Sequence, residues 1–563
     1  MTQGLPFSFD VEARRGQMFP QLSPDAVSRI AAAAAGAERR FEDGAVVFER
    51  GETDVPFYVV LEGALEIVHP RGDVEELVTV HHERQFTGEL SVLAGRPGLV
   101  RGRAKGPLRV LRIEPDRFLA LLQTDSELSE IAMRAYILRR IGLLVAGFGD
   151  VTIVGSSQSA STARVQDFLT RNGHPYQYVD VERDADVESL LGRVRVAPDE
   201  IPLVICADGR MLRNPSNAEV ADCLGFNAAI DEGVVHDVVV CGAGLGGLAA
   251  AVYAGSEGLD VLVVEANAPG GQAATSSKIE NYLGFPTGVS GQSLAHRALN
   301  QAEKFGARLT IAHGAVKLHC AGRGEMQVDL AGGRSVRARA VIIATGAEYR
   351  KLDLPDLARF EGVGVYYAAT FMESQRCAAD EVIVVGGANS AGQAATFLAK
   401  TARHVHMLIR GPDLAATMSR YLIRRIEETP NITLHRRTRI VALHGSGHLE
   451  RVTWRDDNAG EEAAHAIRHV FAMTGATPNT AWLGDCVAMD PNGFVRTDSE
   501  LTDETLAERG WPLKRRPYLF ETSRPRVFAV GDVRSTSVKR VASAVGEGSV
   551  SIQLVHKALA EPV

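Results

Sequence analysis

Three glycines near the middle of the chain have the spacing that a bound dinucleotide requires. Gly242, Gly244 and Gly247 fit the pattern GxGxxG, and Gly246 lies among them. In this pattern the first glycine permits a tight turn, the second lets the backbone approach a pyrophosphate, and the third lets a helix pack closely on a strand. Glu265 follows at a distance of about 20 residues, where a carboxylate can accept hydrogen bonds from a ribose. These residues predict a dinucleotide site.

The segments on either side of the glycines supply the elements that such a site needs. An apolar run precedes them at Val238–Val240, an alanine-rich stretch follows, and a second apolar run at Val261–Val264 ends at the acid. The order predicts a strand, a turn, a helix and a second strand. The free N–H groups and the dipole at the start of the helix favour phosphates. The flanking strands make the motif more specific than glycine spacing alone.

A second strand, glycine turn and helix is present in EVIVVGGANSAGQAATFLAK, where Ala388 replaces the middle glycine. The strand after it, HVHMLIR, ends at Arg410 instead of an acid. An acid at this place would repel a 2′-phosphate, whereas an arginine suits it, so the sequence favours NADPH over NADH. Arg420 is a further candidate cation. The candidate contacts of this second turn are Gly386, Gly387, Asn389, Ser390, Ala391 and Arg410.

Composition and charge exclude several classes of protein. The chain of 563 residues has a net charge of -8 and no long run of lysine or arginine, which argues against nucleic acid as a partner. Its 45% hydrophobic residues and its low aromatic content suit α/β folding. We find neither an apolar stretch of membrane-spanning length nor a signal-peptide core, and we therefore expect a cytoplasmic protein with no membrane partner.

The six cysteines are scattered, and no two of them have the spacing CxxC. A disulfide framework and a structural zinc site are therefore not expected, and no metal site is predicted. Because a free cysteine is among the most buried residue types, we expect Cys206, Cys223 and Cys377 to pack as thiols.

The N-terminal region shows short β-like runs punctuated by glycine, as in AVVFERGETDVPFYVVLEGALEIV. This spacing predicts a small β-barrel or jelly roll, followed by a helical tail from Ser126 to Val145. The region resembles the cyclic-nucleotide-binding domain. In that family a glutamate of a GEL triplet binds the ribose hydroxyl, and an arginine after a proline binds the cyclic phosphate.

The match to that family is incomplete at the phosphate site. Gly88, Glu89 and Leu90 correspond to the GEL triplet, but a glycine, Gly98, follows the proline. Arg101 would reach a phosphate only from a shifted register, and the alternative is that Arg101 is an ordinary strand residue. We therefore expect a retained fold with altered or absent cyclic nucleotide binding.

Residues 151–230 alternate between apolar strand-like and helical segments, which implies an α/β sheet with helices packed on it. The predicted order is the strand VTIVGS, the helix TARVQDFLTRNG, the strand YQYVDVE, the helix DVESLLGRV, the strand IPLVICADG and the helix NAEVADCLGF. This order resembles a glutaredoxin or thioredoxin-like domain, with Pro202 at the place of the family's cis-proline. The family's CxxC pair would fall on Ser159 and Thr162. Hydroxyls cannot cycle between dithiol and disulfide, so we expect a structural spacer or a docking surface.

Three further motifs accompany the first glycine turn: APGGQAATSSKIENYLGF, AVIIATGAEYRKL and VFAVGDVRSTSVKRVASAVGEG. Together the four motifs resemble the thioredoxin-reductase-like flavoproteins of the pyridine nucleotide-disulfide oxidoreductase family over residues 236–563. The resemblance implies that FAD lies along the first turn and that NAD(P)H lies at the second. It also implies further FAD contacts at Gly270, Gly271, Gln272, Asn281, Thr345, Gly346, Gly531, Asp532, Arg540 and Val541, with Lys539 beside them.

The family's usual exit for electrons is missing from the sequence. Thioredoxin reductases pass electrons through a CxxC pair, and the corresponding positions here hold Ala368 and Phe371. Neither side chain is a nucleophile. We therefore expect an FAD-dependent NAD(P)H oxidoreductase that passes electrons to an unidentified acceptor. A ferredoxin–NADP reductase-like enzyme, a thioredoxin-disulfide reductase acting through an external dithiol, and a flavin- or nucleotide-based redox sensor remain alternatives. We assign no catalytic residue.

The fold expected from these resemblances has several domains. An N-terminal β-barrel or jelly roll spans residues 1–148, and a small thioredoxin-like α/β domain spans 149–232. Two Rossmann-like α/β domains follow, one for FAD at 233–350 and 473–563, and one for NAD(P)H inserted in it at 351–472. In this family the nucleotide domain turns relative to the FAD domain. The hinges would lie near Ala347–Pro355 and Gly475–Asn479, and the family is usually a homodimer.

Overall fold

The structure is a computed structural model. It describes residues 11–561 except for 34–36, 53–54, 72–73, 90–91, 93–97, 99, 147–150, 158, 182–199, 207–208, 228–229, 277–278, 321–324, 368 and 370. The chain divides into two compact units. One contains the chain up to Val154, Gly173–Ala228 and Asn300–Gly306, and the other contains Gly155–Asn172, Ala229–Leu299 and Ala307–Val563.

The N-terminal region forms an antiparallel sheet of six strands, in the order β1-β6-β3-β4 with β2 on β6 and β5 on β3. Phe57, Phe86 and Phe118 are fully buried against one another. The predicted β-rich region is confirmed. The elements are α1 (Val11–Met18), α2 (Pro24–Ala33), β1 (Glu38–Phe41), β2 (Val46–Phe48), β3 (Phe57–Arg71), β4 (Val74–His81), β5 (Phe86–Thr87), β6 (Arg101–Ile113), α3 (Pro115–Thr124) and α4 (Ser126–Ala146).

The next sheet has four strands in the order β10-β9-β7-β8. The bond between Ile201 and Pro202 is cis, as the resemblance to thioredoxin-like domains implies. The short strand β10 was not predicted, and the segment DVESLLGRV lies outside the described residues. The elements are β7 (Val151–Gly155), α5 (Ala160–Arg171), β8 (Tyr176–Asp180), β9 (Leu203–Ile205), β10 (Met211–Arg213) and α6 (Asn217–Cys223).

The structure pairs cysteines that the sequence analysis treated as separate. Cys206 and Cys223 form a disulfide with a Cα–Cα distance of 6.3 Å, and Cys320 and Cys486 form another with a Cα–Cα distance of 5.8 Å. The expectation that no disulfides form, and that Cys206 and Cys223 pack as thiols, was therefore wrong. The partners are 17 and 166 residues apart in the chain, so only the tertiary fold brings them together.

A seven-stranded sheet carries the first glycine turn. Its parallel strands follow the order β13-β12-β11-β16-β27, and β15 and β14 extend it with antiparallel pairing. Val239, Ile343 and Ala529 lie in its buried core. The elements are β11 (Val235–Cys241), α7 (Leu245–Ser256), β12 (Val261–Glu265), α8 (Gly291–Lys304), β13 (Arg308–Ile311), β14 (Ala315–His319), β15 (Met326–Leu330), β16 (Ser335–Ile343), β27 (Val527–Ala529) and α13 (Val541–Leu559).

Between β16 and β27 the chain forms a second parallel sheet, with the order β18-β25-β19-β20-β21. A three-stranded antiparallel sheet, β22-β23-β24, accompanies it. The elements are β18 (Val365–Tyr366), α9 (Phe371–Arg376), β19 (Glu381–Val385), α10 (Asn389–Leu398), β20 (His404–Ile409), α11 (Arg420–Glu428), β21 (Ile432–Arg436), β22 (Thr438–His444), β23 (Arg451–Asp456), β24 (Glu461–His465), β25 (His469–Ala472) and α12 (Asp503–Glu508).

The two segments predicted as hinges lie side by side. Strands β17 (Ala347–Tyr349) and β26 (Ala476–Pro478) pair antiparallel and form a sheet of their own. Both crossings between the two parallel sheets therefore pass through one short ribbon.

Among the described residues, none of the helices is both long and apolar enough to span a bilayer.

Candidate functional site

The first glycine turn has the geometry that its sequence predicts. Gly242 has a φ of 107°, and a Cβ on it would lie 2.4 Å from the carbonyl oxygen of Ala344. A Cβ on Gly247 would lie 2.0 Å from the carbonyl oxygen of Gly242. Gly244, the residue before α7, differs, because a Cβ there would meet no protein atom within 4 Å. The turn is tightly packed at Gly242 and Gly247. It is open at Gly244, next to the free N–H groups at the start of α7.

Glu265 closes this site at the end of β12. Its carboxylate accepts hydrogen bonds from the backbone N–H of Ala243 at 2.7 Å and of Asn267 at 2.9 Å. The first bond ties the acid directly to the glycine turn. The carboxylate is therefore fixed beside the turn, at the distance along the chain where a ribose is bound in this pattern.

The loop that contains Gly270 and Gly271 packs against the same turn. Gly270 N–H donates to the carbonyl oxygen of Ala243 at 2.7 Å, and Gly270 forms a parallel bridge with Gly244. The Gln272 side chain donates to the carbonyl oxygen of Ala347. Asn281, which was predicted to contact the cofactor, is exposed.

Thr345 and Gly346 are held by a residue that the sequence analysis did not identify. Thr345 Oγ1 donates to the carbonyl oxygen of Asn479 at 2.7 Å, and Asn479 Nδ2 donates to the carbonyl oxygen of Thr345 at 3.1 Å. Asn479 N–H also donates to the carbonyl oxygen of Gly346 at 3.1 Å. Asn479 immediately follows β26, so the only signal for it was its place at the end of a predicted hinge.

The C-terminal motif forms a compact charged corner. Gly531 N–H donates to Glu547 of α13 at 2.7 Å, and Glu547 also pairs with Arg534 at 2.9 Å. Burial raises the pKa of Asp532 and lowers the pKa of Lys539, whose ammonium group donates to the backbone carbonyl of Asp532 at 2.5 Å. Glu547 and Arg534 lie within the quoted C-terminal motif, but the resemblance assigned contacts only to other residues of that motif.

Arg540 and Val541 stand at the start of the helix that completes this corner. Arg540 is the residue before α13, with an extended backbone, and Val541 is the first residue of the helix. Both residues therefore stand at a helix N-terminus, directly after Lys539 in the chain.

The second glycine turn is equally constrained. Gly386 has a φ of 140°, and a Cβ on it would lie 2.2 Å from the carbonyl oxygen of Met473. Asn389 Oδ1 accepts from Ser419 N–H at 2.7 Å, and the carbonyl oxygen of Gly387 accepts from Thr417 Oγ1 at 2.7 Å. These bonds hold the segment before α11 against the turn. Ser390 is exposed and Ala391 is buried at the start of α10.

Arg410 follows β20 and is exposed at the carboxyl end of the parallel sheet. The parallel pairing of β20 with β21 sets Ile409 opposite Arg436. Arg436 and its neighbour Arg437 are also exposed. The sheet therefore brings two arginines to the same edge as Arg410, which the sequence analysis did not predict because the residues are 26 and 27 positions apart.

The model of the family described as pyridine nucleotide-disulphide oxidoreductase matches residues 236–560. That range contains both glycine turns and more than half of the chain. The chain belongs to this family. A second family model, the cyclic nucleotide-binding domain, matches residues 38–125. The resemblances to the flavoprotein family and to the cyclic-nucleotide-binding domain are thus confirmed.

Curated members of the family are similar to this chain over its C-terminal part. The thioredoxin reductase of Bacillus subtilis is 30% identical over 328 residues, which are 58% of this chain and 96% of that protein. The thioredoxin reductase of Mycolicibacterium smegmatis is 31% identical over 332 residues, 58% of this chain and 97% of that protein.

Solved structures agree with the sequence comparison. Lactococcus lactis thioredoxin reductase in its FR conformation is 25% identical, with a TM-score of 0.51, over 57% of this chain and 99% of that one. T. acidophilum thioredoxin reductase is 26% identical, with a TM-score of 0.51, over 58% of this chain and 99% of that one. The chain is a flavin-dependent NAD(P)H oxidoreductase of this family, whose cofactors are FAD and NADPH. The open Gly244 and the anchored Glu265 carboxylate fit FAD at the first turn.

The free thiols in the described part of the oxidoreductase are poorly suited to react. Ala368 lies outside the described residues, and Phe371 begins α9. The described cysteines outside the two disulfides are Cys241 and Cys377, and both are buried. Burial raises the pKa of both thiols, that of Cys377 to about 12. A thiol with such a pKa holds almost no thiolate at neutral pH and is a poor nucleophile.

The N-terminal domain of the oxidoreductase has its candidate ribose ligand already engaged. Glu89 is fully buried and pairs with Arg139 of α4 at 2.6 Å. Arg139 also donates to the backbone carbonyls of Met18 at 2.7 Å and Phe86 at 3.1 Å. Gly88 precedes Glu89 with a φ of 96°, whereas Leu90 lies outside the described residues.

Arg101, the other candidate in that domain, is also paired. Its guanidinium bonds Glu49 at 2.7 Å and also bonds Glu75. The neighbouring Arg103 shares Glu75 at 2.7 Å. The alternative of an ordinary strand residue held by surface ion pairs therefore agrees with the structure.

Proposed function

We propose that the chain oxidises NADPH and passes the electrons through FAD directly to an acceptor, without a redox dithiol at positions 368 and 371. The contrast between the two glycine turns carries this proposal. The first turn ends at Glu265, which is bonded to the turn itself, whereas the second ends at the exposed Arg410. An acid suits a ribose hydroxyl, and an arginine suits a 2′-phosphate.

In this proposal the seven-stranded sheet is the FAD domain and the five-stranded sheet is the NADPH domain. The FAD domain would comprise residues 233–350 and 473–563, and the NADPH domain residues 351–472. The NADPH domain would therefore be inserted in the FAD domain. The FAD contacts would be the glycines of the first turn, Glu265, the Gly271 loop, Thr345 and Asp532. When bound, FAD accepts a hydride from the reduced nicotinamide. The paired strands β17 and β26 would serve as the hinge between the two domains. We also propose that the protein is a homodimer.

The residues at the family's dithiol positions support direct transfer from the flavin. Alanine and phenylalanine offer no reacting atom there. The deciding experiment reduces the FAD-loaded protein anaerobically with NADPH and then adds single acceptors: a quinone, a ferredoxin, free flavin and a general disulfide reagent. We expect flavin reoxidation by one of the first three. Multiple turnovers with the disulfide reagent would instead support thioredoxin-type chemistry, and a single reduction without turnover would support a sensor.

Arg410 should determine the choice of nucleotide. We expect wild-type flavin to be reduced faster by NADPH than by NADH, and Arg410→Ala to raise the KM for NADPH about tenfold, which corresponds to about 1.4 kcal/mol, with little effect on NADH. Stopped-flow measurement of flavin reduction at varied concentrations of NADPH and of NADH gives the reduction rate and the concentration dependence for each nucleotide. Arg424→Ala is the matched control, since Arg424 pairs with Glu428 on the surface of α11 at 2.9 Å. Equal or faster reduction of the wild type by NADH would defeat the proposal.

The N-terminal domain should not bind cyclic AMP tightly. One oxygen of the buried Glu89 carboxylate is paired with Arg139, so a ribose hydroxyl would have to compete with this ion pair. Breaking a buried ion pair costs about 3–5 kcal/mol. We expect isothermal titration of the full chain to show no cyclic AMP binding with a Kd below about 1 mM. A Kd in the micromolar range would show that the site opens and would overturn this part of the proposal.

A further inference from the structure

Helix α5 contacts the candidate FAD site although it lies before residue 236, where the match to the oxidoreductase family begins. The carbonyl oxygen of Thr170 accepts a hydrogen bond from Gln292 Nε2 at 2.8 Å. The carbonyl oxygen of Arg171 lies 3.2 Å from His296 Nε2. Both partners belong to α8. A helix end leaves its last carbonyls without intrahelical partners, and here α8 satisfies two of them.

The side chain of Arg171 extends this contact to the glycine loop. Its Nη2 donates to the carbonyl oxygen of Gly271 at 3.3 Å. Its Nη1 lies 3.8 Å from Asp167, one turn earlier in α5, and the side chain is 18% exposed. A cationic donor makes a stronger hydrogen bond than a neutral one. The guanidinium therefore lies between Asp167 on its own helix and the Gly271 carbonyl of the loop.

The far side of that loop is fixed to the phosphate-binding turn. A Cβ on Gly271 would lie 3.1 Å from the Cα of Gly244, and Gly270 bonds Ala243. Gly271 thus stands between Arg171 on one side and the candidate pyrophosphate site on the other. Any movement of the loop away from Arg171 changes the shape of the space beside Gly244.

The beginning of α5 is built for stability and not for thiol chemistry. Ser159, at one of the two positions of a thioredoxin-like CxxC, accepts a hydrogen bond from the N–H of Thr162 at 3.3 Å and caps the helix. Thr162, at the other position, is 1% exposed. A serine at this position stabilises the start of a helix by satisfying a free backbone N–H group.

We infer that Arg171 is a positioning residue for FAD: it holds the Gly271 loop against the first glycine turn, so that the thioredoxin-like segment forms part of the cofactor site and does not carry electrons. The inference rests on the proposed function, because it requires the first turn to bind FAD. It assigns a role to a segment that the family match does not include.

The test compares Arg171→Ala, Arg171→Lys and a matched control, Arg213→Ala, in the full chain. Arg213 lies on β10 of the thioredoxin-like sheet and pairs with Glu200 at 2.7 Å. FAD is removed and then titrated back, with the Kd read from flavin fluorescence and the environment of the bound flavin from visible circular dichroism. We expect Arg171→Ala to raise the Kd for FAD about tenfold and to change the dichroism spectrum. Arg171→Lys keeps a cationic donor and should have an FAD affinity and a dichroism spectrum close to those of the wild type. The control Arg213→Ala should match the wild type in both measurements.

Thermal melting of the FAD-free variants separates positioning from folding. If Arg171→Ala and wild type bind FAD with the same Kd and the same spectrum, the inference is overturned. A lower melting temperature with no change in the flavin spectrum also overturns it, because that result describes a purely structural arginine. If Arg171→Ala does not fold, Arg171→Gln replaces it as the variant without a cation, and a Kd and spectrum equal to those of the wild type would contradict the inference. Failure of the wild type to bind FAD would defeat the proposed function itself.

Discussion

Replacing Gly244 by alanine should give a folded protein that no longer retains FAD. A Cβ at this position meets no protein atom within 4 Å, and the backbone φ of -63° is one that alanine adopts freely. The added methyl group would instead fill the space in front of the N-terminus of α7, where the pyrophosphate approaches the backbone. We expect the Kd for FAD to rise at least about 100-fold, or about 2.7 kcal/mol. Flavin absorbance after gel filtration and titration of the FAD-free protein measure the effect.

Gly447→Ala is the matched control for this substitution. Gly447 lies between β22 and β23, and a Cβ there also meets nothing within 4 Å. Both variants should melt at the temperature of the FAD-free wild type. A Gly244→Ala protein that retains one FAD per chain after gel filtration would show that the first turn does not hold the pyrophosphate.

Replacing Gly386 by alanine should separate the two cofactors. The φ of 140° is strained for any residue with a Cβ, and the new atom would lie 2.2 Å from the backbone of Met473. The second turn must therefore shift, whereas the first turn and its sheet are unchanged. We expect FAD to stay bound and its reduction by NADPH to slow at least about 100-fold, a loss of about 2.7 kcal/mol in transition-state stabilisation.

Dithionite provides the internal control, because it reduces flavin without a nucleotide site. Its rate should be the same in Gly386→Ala and in the wild type, and Gly447→Ala should behave as the wild type with both reductants. Rapid reduction of Gly386→Ala by NADPH would place the nucleotide elsewhere. Loss of FAD in this variant would show that the two sheets do not bind their cofactors independently.

The glycine turns were predictable because their chemistry is local. A tight turn, a close backbone approach and a helix start depend on residues only a few positions apart, as at Gly242 and Gly386. The strand that follows each turn fixes the next recognition residue, which places Glu265 and Arg410 at strand ends. The same locality explains why the cis bond before Pro202 agreed with the family pattern.

Residues that act across the fold left no such signal. Asn479 bonds Thr345 from 134 positions away, and Glu547 bonds Gly531 from 16 positions away. Asn479 belongs to no quoted motif, and Glu547 lies within the C-terminal motif at a position to which the resemblance assigned no contact. The disulfides were missed for the same reason, since a lone cysteine looks identical in the sequence whether its partner is near in space or absent.

In the N-terminal domain the structure shows a contact of the GEL triplet that the sequence did not predict. The GEL triplet at Gly88–Leu90 is intact in the sequence. Arg139, 50 positions later, pairs with its glutamate, and burial makes that pair costly to separate. The sequence shows that the family's phosphate-binding arginine is absent after Pro97. It gives no sign that Arg139 pairs with Glu89.

The sequence by itself determined the two dinucleotide turns, the family and the absence of a CxxC spacing, because each depends on residue types at short fixed spacings. Only the tertiary structure decided that Arg436 and Arg437 lie at the edge that holds Arg410, that four cysteines pair, and that Arg171 reaches Gly271. These contacts arise from strand pairing and helix packing between distant segments. Their geometry depends on how whole sheets and helices pack, so a local sequence pattern does not predict it.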